Sequence, residues 1–284
     1  MSERTDRALA LIEELAQGAD ADPDAQLSDL GIDSLAFAEL ALALEEELGA
    51  DLSGIDVDRS SRVRDVLAAA EVEARAESDL PLAIGVLQPF ARLVGGWALR
   101  WWFAMRIEGA SNVPRSGRVI LAMNHESSLD IPLGVVACPR EIVFMAKQEL
   151  FKNAFLRWWI RALGGFRVDR DRFDLGAIRT ALAVIAHRRV LGMYPEGTRS
   201  PGELLPFLGG AAWIALRTGA PIVPCAISGT DRTRRARRPR GARVSVSFAP
   251  PIAVERVDDA RQRLARAPAI TAEVRKAIGD LLGR

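Results

Sequence analysis

Two short polar segments, each placed directly after an apolar run, most constrain the fold of this chain. The first, NHESSLD at residues 124–130, follows the run VILAM at residues 119–123. The second, PEGTRS at residues 195–200, follows VLGMY at residues 190–194. Apolar runs of this length are typical of buried strands, and α/β proteins tend to bind ligands where such strands end. The sequence therefore predicts an α/β fold with a site at the open edge of its sheet.

The residue types in these segments indicate a general base beside a binding site for an anionic group. His125, one of only two histidines, stands five positions before Asp130. An imidazole paired with a carboxylate is suited to deprotonate a hydroxyl near neutral pH. Arg199 follows in the second segment, and its planar guanidinium can donate two hydrogen bonds to a phosphate or a carboxylate.

These residues resemble the glycerolipid acyltransferase family, the 1-acylglycerol-3-phosphate acyltransferases and their relatives. Four segments resemble that family's motifs in the family order: NHESSLD at 124–130, GGFRVDR at 164–170, PEGTRS at 195–200 and APIVP at 220–224. The resemblance implies O-acyl transfer from a thioester to the hydroxyl of a lysophospholipid such as 1-acylglycerol-3-phosphate, with His125 as general base and Asp130 as its partner. It also implies that the acceptor is bound by Arg170, Glu196, Gly197, Thr198, Arg199 and Pro224.

Several alternatives remain open at this point. Asp130 could be a helix cap, and Arg199 a surface ion pair. The acceptor could be an aminolipid, a glycolipid or a specialised metabolite, or the chain could carry acyl groups or bind lipid without turnover. A covalent acyl-enzyme on Ser127 or Ser128 is disfavoured because the chain has no G-x-S-x-G elbow. Two histidines and two scattered cysteines offer no credible metal-ligand spacing, so no metal is expected.

Charge divides the chain into two modules. Residues 1–79 hold 21 acidic and 6 basic residues, a net charge of −15, whereas residues 80–284 hold 16 acidic and 32 basic residues, a net charge of +16. Such asymmetry indicates modules with different partners, or modules that are partners of each other. We expect a carrier-like helical domain at 1–77, a linker with interfacial apolar helices at 78–106, and the acyltransferase domain at 107–284.

The N-terminal module has helical spacing and a short attachment-like motif. Apolar residues recur every three or four positions in residues 4–17 and 35–48, which predicts a small all-α bundle of four helices. The segment LGIDSL and the acidic helix after it resemble acyl carrier proteins. The resemblance implies a covalent 4′-phosphopantetheine on Ser34, with acyl-CoA as an alternative acyl donor. A phosphopantetheinyl transferase and an acyl-loading enzyme would then be partners. The alternative is that Ser34 only caps the helix.

The second module alternates strands with helices. Apolar runs predict strands at 119–123, 141–145, 166–168, 190–194, 222–227 and 243–248, and helices are expected at 151–163, 175–187 and 209–218. The fold class is therefore an α/β domain with a mixed sheet flanked by helices, preceded by the helical carrier bundle.

Residues 80–105 are the segment of the chain that could contact or span a membrane. They are mostly apolar and rich in tryptophan, but two arginines interrupt any candidate span, and a spanning helix needs about twenty apolar residues. Interfacial helices on a membrane surface are favoured over a buried hairpin or a single span. A basic cluster at 232–240 could attract anionic lipid, the acidic module or nothing specific, and nucleic acid is disfavoured because no recognition fold accompanies it.

The remaining features concern the compartment. Cys138 and Cys225 are far apart in the sequence and predict no disulfide, as in a reducing cytosol. The acidic, amphipathic N-terminus lacks an apolar h-region, so no signal peptide is expected. The resulting expectation is a cytoplasmic protein, peripheral on the inner face of the cytoplasmic membrane.

Overall fold

The apolar runs identified in the sequence form the centre of a seven-stranded sheet in the computed structural model. The structure describes residues 2–16, 20–50, 60–72, 87–169, 173–200, 202–230 and 243–284. The strands are β1 Ala104–Glu108, β2 Val119–Met123, β3 Ile142–Lys147, β4 Gly165–Val168, β5 Val190–Met193, β6 Ile222–Ser228 and β7 Arg243–Phe248. Their order is β1-β7-β6-β2-β5-β3-β4. Every neighbouring pair is parallel except β6 and β7, which are antiparallel, so the sheet is mixed as predicted.

Helices cover both faces of this sheet. The described helices of this part of the chain are α4 Gln88–Phe90, α5 Gly96–Trp102, α6 Asp130–Ala137, α7 Ala154–Ala162, α8 Leu175–Ala186, α9 Gly210–Thr218 and α10 Ala260–Leu282. A π-helical turn, Ala91–Gly95, joins α4 to α5. Successive side chains of a strand point to opposite faces. Thus Ile120 and Ala122 of β2 join one core with α8, α9 and α10, whereas Leu121 and Met123 join the other with α5, α6 and α7.

The N-terminal module is helical, as predicted. Its described helices are α1 Glu3–Leu15, α2 Ser34–Leu48 and α3 Val63–Ala70, and residues 51–59 lie outside the described residues. Phe37, Leu40 and Leu44 of α2 are almost fully buried, at the helical spacing read from the sequence. Gly49 ends α2 in the left-handed conformation, at φ 60°, which glycine adopts without a steric penalty.

Two segments differ from the sequence prediction. Residues 78–106 were expected to be a linker with interfacial apolar helices. In the part of this segment that the structure describes, residues 87–106, the helical part ends at Trp102 and β1 begins at Ala104. The first strand thus starts inside the segment assigned to the linker, and the three domain boundaries stay a prediction. The long helix α10 was not predicted; its N-terminal half is rich in arginine and contains Pro268.

The N-terminal module packs onto the helices of one sheet face through α2. Leu35 lies against Gly209, where an added Cβ would be 2.7 Å from its Cδ1. One turn later, Glu39 Oε1 accepts a hydrogen bond of 2.7 Å from Nε1 of Trp213. Further along, Glu46 pairs with Arg217. Because contacts advance in the same direction along both helices, α2 runs parallel to α9.

Glu39 is the most buried charge in this contact, at 2% exposure. Its Oε2 accepts 3.0 Å from Nη1 of Arg217 and 2.6 Å from Nη2 of Arg263, and Arg263 also reaches Oε1. A buried carboxylate requires such partners, because leaving it unpaired in an apolar environment is costly.

The direction of α2 places its first residue at the edge of the sheet that holds the polar segments. α9 starts after the segment that leaves the carboxyl end of β5, and it leads into β6, which like β5 is parallel to β2. The start of α9 is therefore at the carboxyl edge of these strands. Since α2 runs alongside α9 in the same direction, Ser34 lies at this edge as well.

Candidate active site

A buried histidine and aspartate form the centre of the site. His125 follows the carboxyl end of β2, and Asp130 begins α6. Nδ1 of His125 lies 2.9 Å from Oδ2 of Asp130, and the two residues are 6% and 0% exposed. Since a carboxylate only accepts hydrogen bonds, Nδ1 carries the proton of the neutral ring. Nε2 is then the nitrogen that can take a proton from a ligand.

The backbone around His125 holds the aspartate in place. Oδ2 of Asp130 also accepts hydrogen bonds of 2.7 Å from the backbone N–H groups of Glu126 and Ser127. These donors fix the position of the carboxylate. The carboxylate therefore serves two purposes: it orients the imidazole and it closes the turn that leads from β2 into α6.

Two neighbours fix the position of His125. The side chain of Asn124 donates to the carbonyl oxygen of Ile227 at 2.9 Å and accepts from its N–H at 2.7 Å, which ties the end of β2 to β6. The ring of Tyr194 lies 4.3 Å from the imidazole, centroid to centroid. Burial, followed by the negative charge of Asp130, raises the pKa of Tyr194 well above its ordinary value, so the phenol stays neutral.

Glu196 joins the two polar segments. Its Oε1 accepts a hydrogen bond of 2.9 Å from the backbone N–H of His125. Its Oε2 accepts 3.0 Å from the N–H of Leu205 and also bonds the hydroxyl of Ser200. The N–H of Ser200 in turn donates to the carbonyl oxygen of His125 at 2.7 Å. Glu196 is thus a buried clamp between the segments, and its predicted contact with an acceptor stays a prediction.

The middle of the PEGTRS segment, residues 197–199, reaches the surface, whereas Pro195 and Ser200 are buried. Gly197 has φ 68°, in the left-handed region that favours glycine. Thr198 and Arg199 are exposed, and Nη1 of Arg199 donates 2.9 Å to the hydroxyl of Ser128. Arg199 therefore bridges the two polar segments on the outer side of His125. Its partner is a neutral hydroxyl, which leaves the cationic charge available to an anionic ligand.

The two other predicted acceptor residues are placed differently. Pro224 is buried within β6, beside Ala122 of β2, so it belongs to the sheet under the site. Arg170 lies outside the described residues, as does the basic cluster at 232–240. The roles predicted for them stay predictions.

Ser34 is exposed at the first position of α2. The helix is capped by Asp33, whose Oδ1 accepts hydrogen bonds of 2.9 Å from the N–H groups of Leu35 and Ala36. Ser34 therefore does not cap the helix, and the alternative that it serves only as a cap is wrong. An exposed hydroxyl beside an independently capped helix fits the covalent attachment of a phosphopantetheine group.

An exposed apolar surface lies on the face of the sheet opposite α2. It consists of side chains of the segment 90–102 and of α7 that are at least 40% exposed, which we call the aromatic surface: Phe90, Leu93, Val94, Trp97, Trp101, Trp102, Phe155, Trp158 and Trp159. The rings of Trp97 and Trp101 stack at 6.4 Å. No helix within the described ranges is both long enough and apolar enough to traverse a bilayer.

Within the described part of the chain, no cluster of three or more histidine, cysteine, aspartate or glutamate side chains could hold an ion. Cys138 and Cys225 are free and buried. Burial raises the pKa of both thiols, so neither has the character of a reactive thiolate.

Comparison with known proteins identifies relatives of both modules. The 1-acyl-sn-glycerol-3-phosphate acyltransferase of Bacillus subtilis (strain 168) is 32% identical over 126 residues, which are 44% of this chain and 63% of that protein. The protein of the same name from Limnanthes alba is 30% identical over 181 residues, 60% of this chain and 64% of that protein. The chain thus spans slightly less than two thirds of the length of these relatives.

The fold is also found in a solved structure. The crystal structure of the 1-acyl-sn-glycerophosphate (LPA) acyltransferase, PlsC, from Thermotoga maritima matches with a TM-score of 0.56 at 22% identity, over 99% of this chain and 98% of that one. Residues 6–70 match the family described as phosphopantetheine attachment site, and residues 104–228 match the family described as acyltransferase. The chain therefore contains a phosphopantetheine-attachment domain followed by a domain of the acyltransferase family.

Proposed function

We propose that the protein is an O-acyltransferase that moves a fatty acyl group from a thioester to the hydroxyl of a lysophospholipid such as 1-acylglycerol-3-phosphate. The observation that carries the proposal is the buried pair of His125 and Asp130, joined at 2.9 Å at the carboxyl edge of the sheet. The family of residues 104–228 and the names of the relatives support the reaction class and the acceptor.

His125 acts as the general base. Its Nε2 takes the proton of the acceptor hydroxyl as that oxygen attacks the carbonyl carbon of the thioester donor. Asp130 stabilises the imidazolium that forms and keeps Nδ1 protonated. The tetrahedral intermediate then collapses, the C–S bond breaks, and the imidazolium returns its proton to the leaving thiolate. The products are the ester and a free thiol, and no covalent acyl-enzyme is needed.

The acceptor phosphate is bound by the outward side of the PEGTRS segment. Arg199 supplies a guanidinium there, with Gly197 and Thr198 beside it, and Arg170 adds positive charge from the GGFRVDR segment. Glu196 has both oxygens engaged with the chain itself. We assign it a positioning role, in which it holds Arg199 and His125 at a fixed separation.

Ser34 is the proposed attachment residue for 4′-phosphopantetheine. That group supplies a thiol on a flexible arm, which carries the acyl chain as a thioester. The parallel packing of α2 on α9 supports delivery within one chain, because it brings Ser34 to the edge of the sheet that holds His125. Tethering of this kind gives an effective concentration in the millimolar range. Acyl-CoA is the alternative donor, and a phosphopantetheinyl transferase and an acyl-loading enzyme complete the set of partners.

We also propose a peripheral location on the inner face of the cytoplasmic membrane, and the aromatic surface supports contact with a membrane. Tryptophan and phenylalanine side chains that project from helices suit the headgroup boundary, where the acceptor lipid resides. This surface lies on the side of the sheet opposite α2, so membrane contact leaves the carrier domain unobstructed.

The test is acylation of lysophosphatidate by the purified, loaded protein. His125→Ala is expected to abolish product formation, whereas His187→Ala is the matched control because that histidine is exposed at the end of α8. An active His125→Ala variant would refute the proposed role of the pair. A protein that is loaded but inert toward lysophosphatidate would redirect the search to another acceptor.

A further inference from the structure

A cavity of about 680 Å³ opens beside the first turn of α2. It lies between α2, the segment 206–209 before α9, and residues 264–275 of α10. On α10 the lining residues are Leu264, Ala267, Pro268, Thr271, Ala272 and Arg275. The lining residues of α10 recur at helical spacing, so one continuous face of this helix forms the wall.

The lining of the cavity combines apolar side chains with one acidic and one basic residue. The wall is more apolar than polar, with Leu15, Leu35, Phe207 and Leu264 as its large apolar side chains and Asp33 as its acidic residue. Arg275 is the basic residue within it, and its guanidinium is held by the carbonyl oxygens of Leu204 and Leu205 at 2.9 and 3.1 Å. An apolar wall with a fixed cation suits a ligand that is largely aliphatic and carries a phosphate. Pockets of 300–1,000 Å³ typically enclose small ligands.

The position of the cavity indicates which ligand this is. Asp33 and Leu35, the residues on either side of Ser34, both line it, while Ser34 is exposed. A group attached to the Ser34 hydroxyl therefore begins at the cavity mouth. We propose that this cavity binds the phosphopantetheine arm of Ser34 and the first part of its acyl chain, an inference that rests on the attachment at Ser34 proposed above.

The cavity also contacts the segment that shapes the active site. Pro206 and Phe207 follow Leu205, whose N–H donates to Glu196, the clamp on the backbone of His125. A ligand in the cavity therefore contacts the segment whose hydrogen bond to Glu196 connects it to His125. In this position the arm lies along α10, beside the segment that leads to Glu196 and His125.

A fluorescent arm tests the proposal without measuring activity. The full-length protein is labelled by a phosphopantetheinyl transferase with a pantetheine that carries a dansyl group, whose emission shifts to the blue in an apolar environment. Ala272→Trp narrows the cavity at an exposed alanine, which keeps the risk of misfolding low. Ala269→Trp is the control, because Ala269 is exposed on the same helix but does not line the cavity.

The wild type and the control are expected to show blue-shifted emission, and Ala272→Trp emission close to that of the free dye in water. Water-like emission of labelled wild type would overturn the cavity proposal while leaving attachment at Ser34 intact. Absence of label, or label that persists in Ser34→Ala, would overturn the proposed attachment together with this inference.

A second measurement uses the natural acyl thioester in place of the dye. Cleavage of the loaded thioester by hydroxylamine should be about tenfold faster in Ala272→Trp than in Ala269→Trp, as expected when about two buried methylene groups return to water. Equal cleavage rates in the two variants would overturn binding of the acyl chain in the cavity.

Discussion

Removal of the Glu39 carboxylate tests whether the carrier domain is held on the acyltransferase domain. In Glu39→Ala, the indole N–H of Trp213 and the guanidinium groups of Arg217 and Arg263 lose their carboxylate partner. Glu39 and Arg263 are 2% and 6% exposed, so solvent screens this contact little. Breaking a buried ion pair by removing one partner costs about 3–5 kcal/mol. Since each 1.4 kcal/mol is about a factor of ten, the docking equilibrium constant should fall by about two to three and a half orders of magnitude.

The indole resonance of Trp213 in a ¹H–¹⁵N spectrum reports on this contact directly. The chain has six tryptophans, so the resonance is assigned by its disappearance in Trp213→Phe. In Glu39→Ala it should move to the position of a solvated indole, and single-turnover transfer from the loaded chain should slow about a hundredfold or more. The matched control is Glu47→Ala, which removes the same charge from the same helix but from a pair with Arg7 inside the carrier domain.

The reasoning is refuted by a Glu39→Ala variant whose Trp213 resonance and transfer rate match those of the wild type. It is also refuted if Glu47→Ala, which leaves the interface intact, perturbs both readouts equally. A change that appears with Glu39→Ala alone assigns the docking to the buried carboxylate and not to the general attraction between an acidic and a basic domain.

Three further predictions concern the site and the surface. Asp130→Asn should lower kcat by up to about 10⁴-fold with little change in KM, because the imidazole loses its orienting carboxylate; an unchanged kcat in a steady-state assay would exclude that role. Tyr194 is the only tyrosine, so tyrosinate absorbance should appear well above pH 10 in the native chain but near pH 10 in denaturant. Because its folded-state pKa is raised, its contribution to the free energy of unfolding is complete below pH 10 and is lost as the pH rises; coincident native and denatured titrations would contradict this. Trp97→Ala should weaken binding to phosphatidylglycerol vesicles about tenfold or more, since a large buried apolar side chain contributes about 1.5–3 kcal/mol. The control, Leu281→Ala, alters an exposed apolar residue of α10 and should bind as the wild type does; equal losses would argue against the aromatic surface.

The sheet could be predicted from the sequence because its central strands are apolar throughout. All five residues of β2 are buried. An apolar run of this kind can be recognised in the sequence without knowing which strands pair with it. β1 was missed because it is an edge strand whose residues alternate between exposed and half-buried, directly after a helix rich in tryptophan. The tryptophan-rich composition of α5 therefore concealed the start of β1 in the sequence.

The contact between His125 and Asp130 was predictable from the sequence, and the interface between the two domains was not. His125 and Asp130 are close in sequence, so their spacing alone indicates a contact. Glu39 contacts Trp213, Arg217 and Arg263 from more than 170 positions away, and these contacts exist only after the two domains pack. A signal was present in the sequence, because Glu39 precedes Leu40 within the most apolar stretch of α2. A charge at that position in a helix core needs a partner from elsewhere.

The central claim is that an acyl group carried on Ser34 is transferred to a lysophospholipid by His125. Intact-mass measurement of the acyl-loaded protein, before and after addition of lysophosphatidate, tests it most directly. The account predicts that the acyl mass is lost while the phosphopantetheine mass remains, with phosphatidate formed in equal amount, and that the loaded His125→Ala variant keeps its acyl group. A loaded wild-type chain that keeps its acyl group while added acyl-CoA is consumed would contradict it.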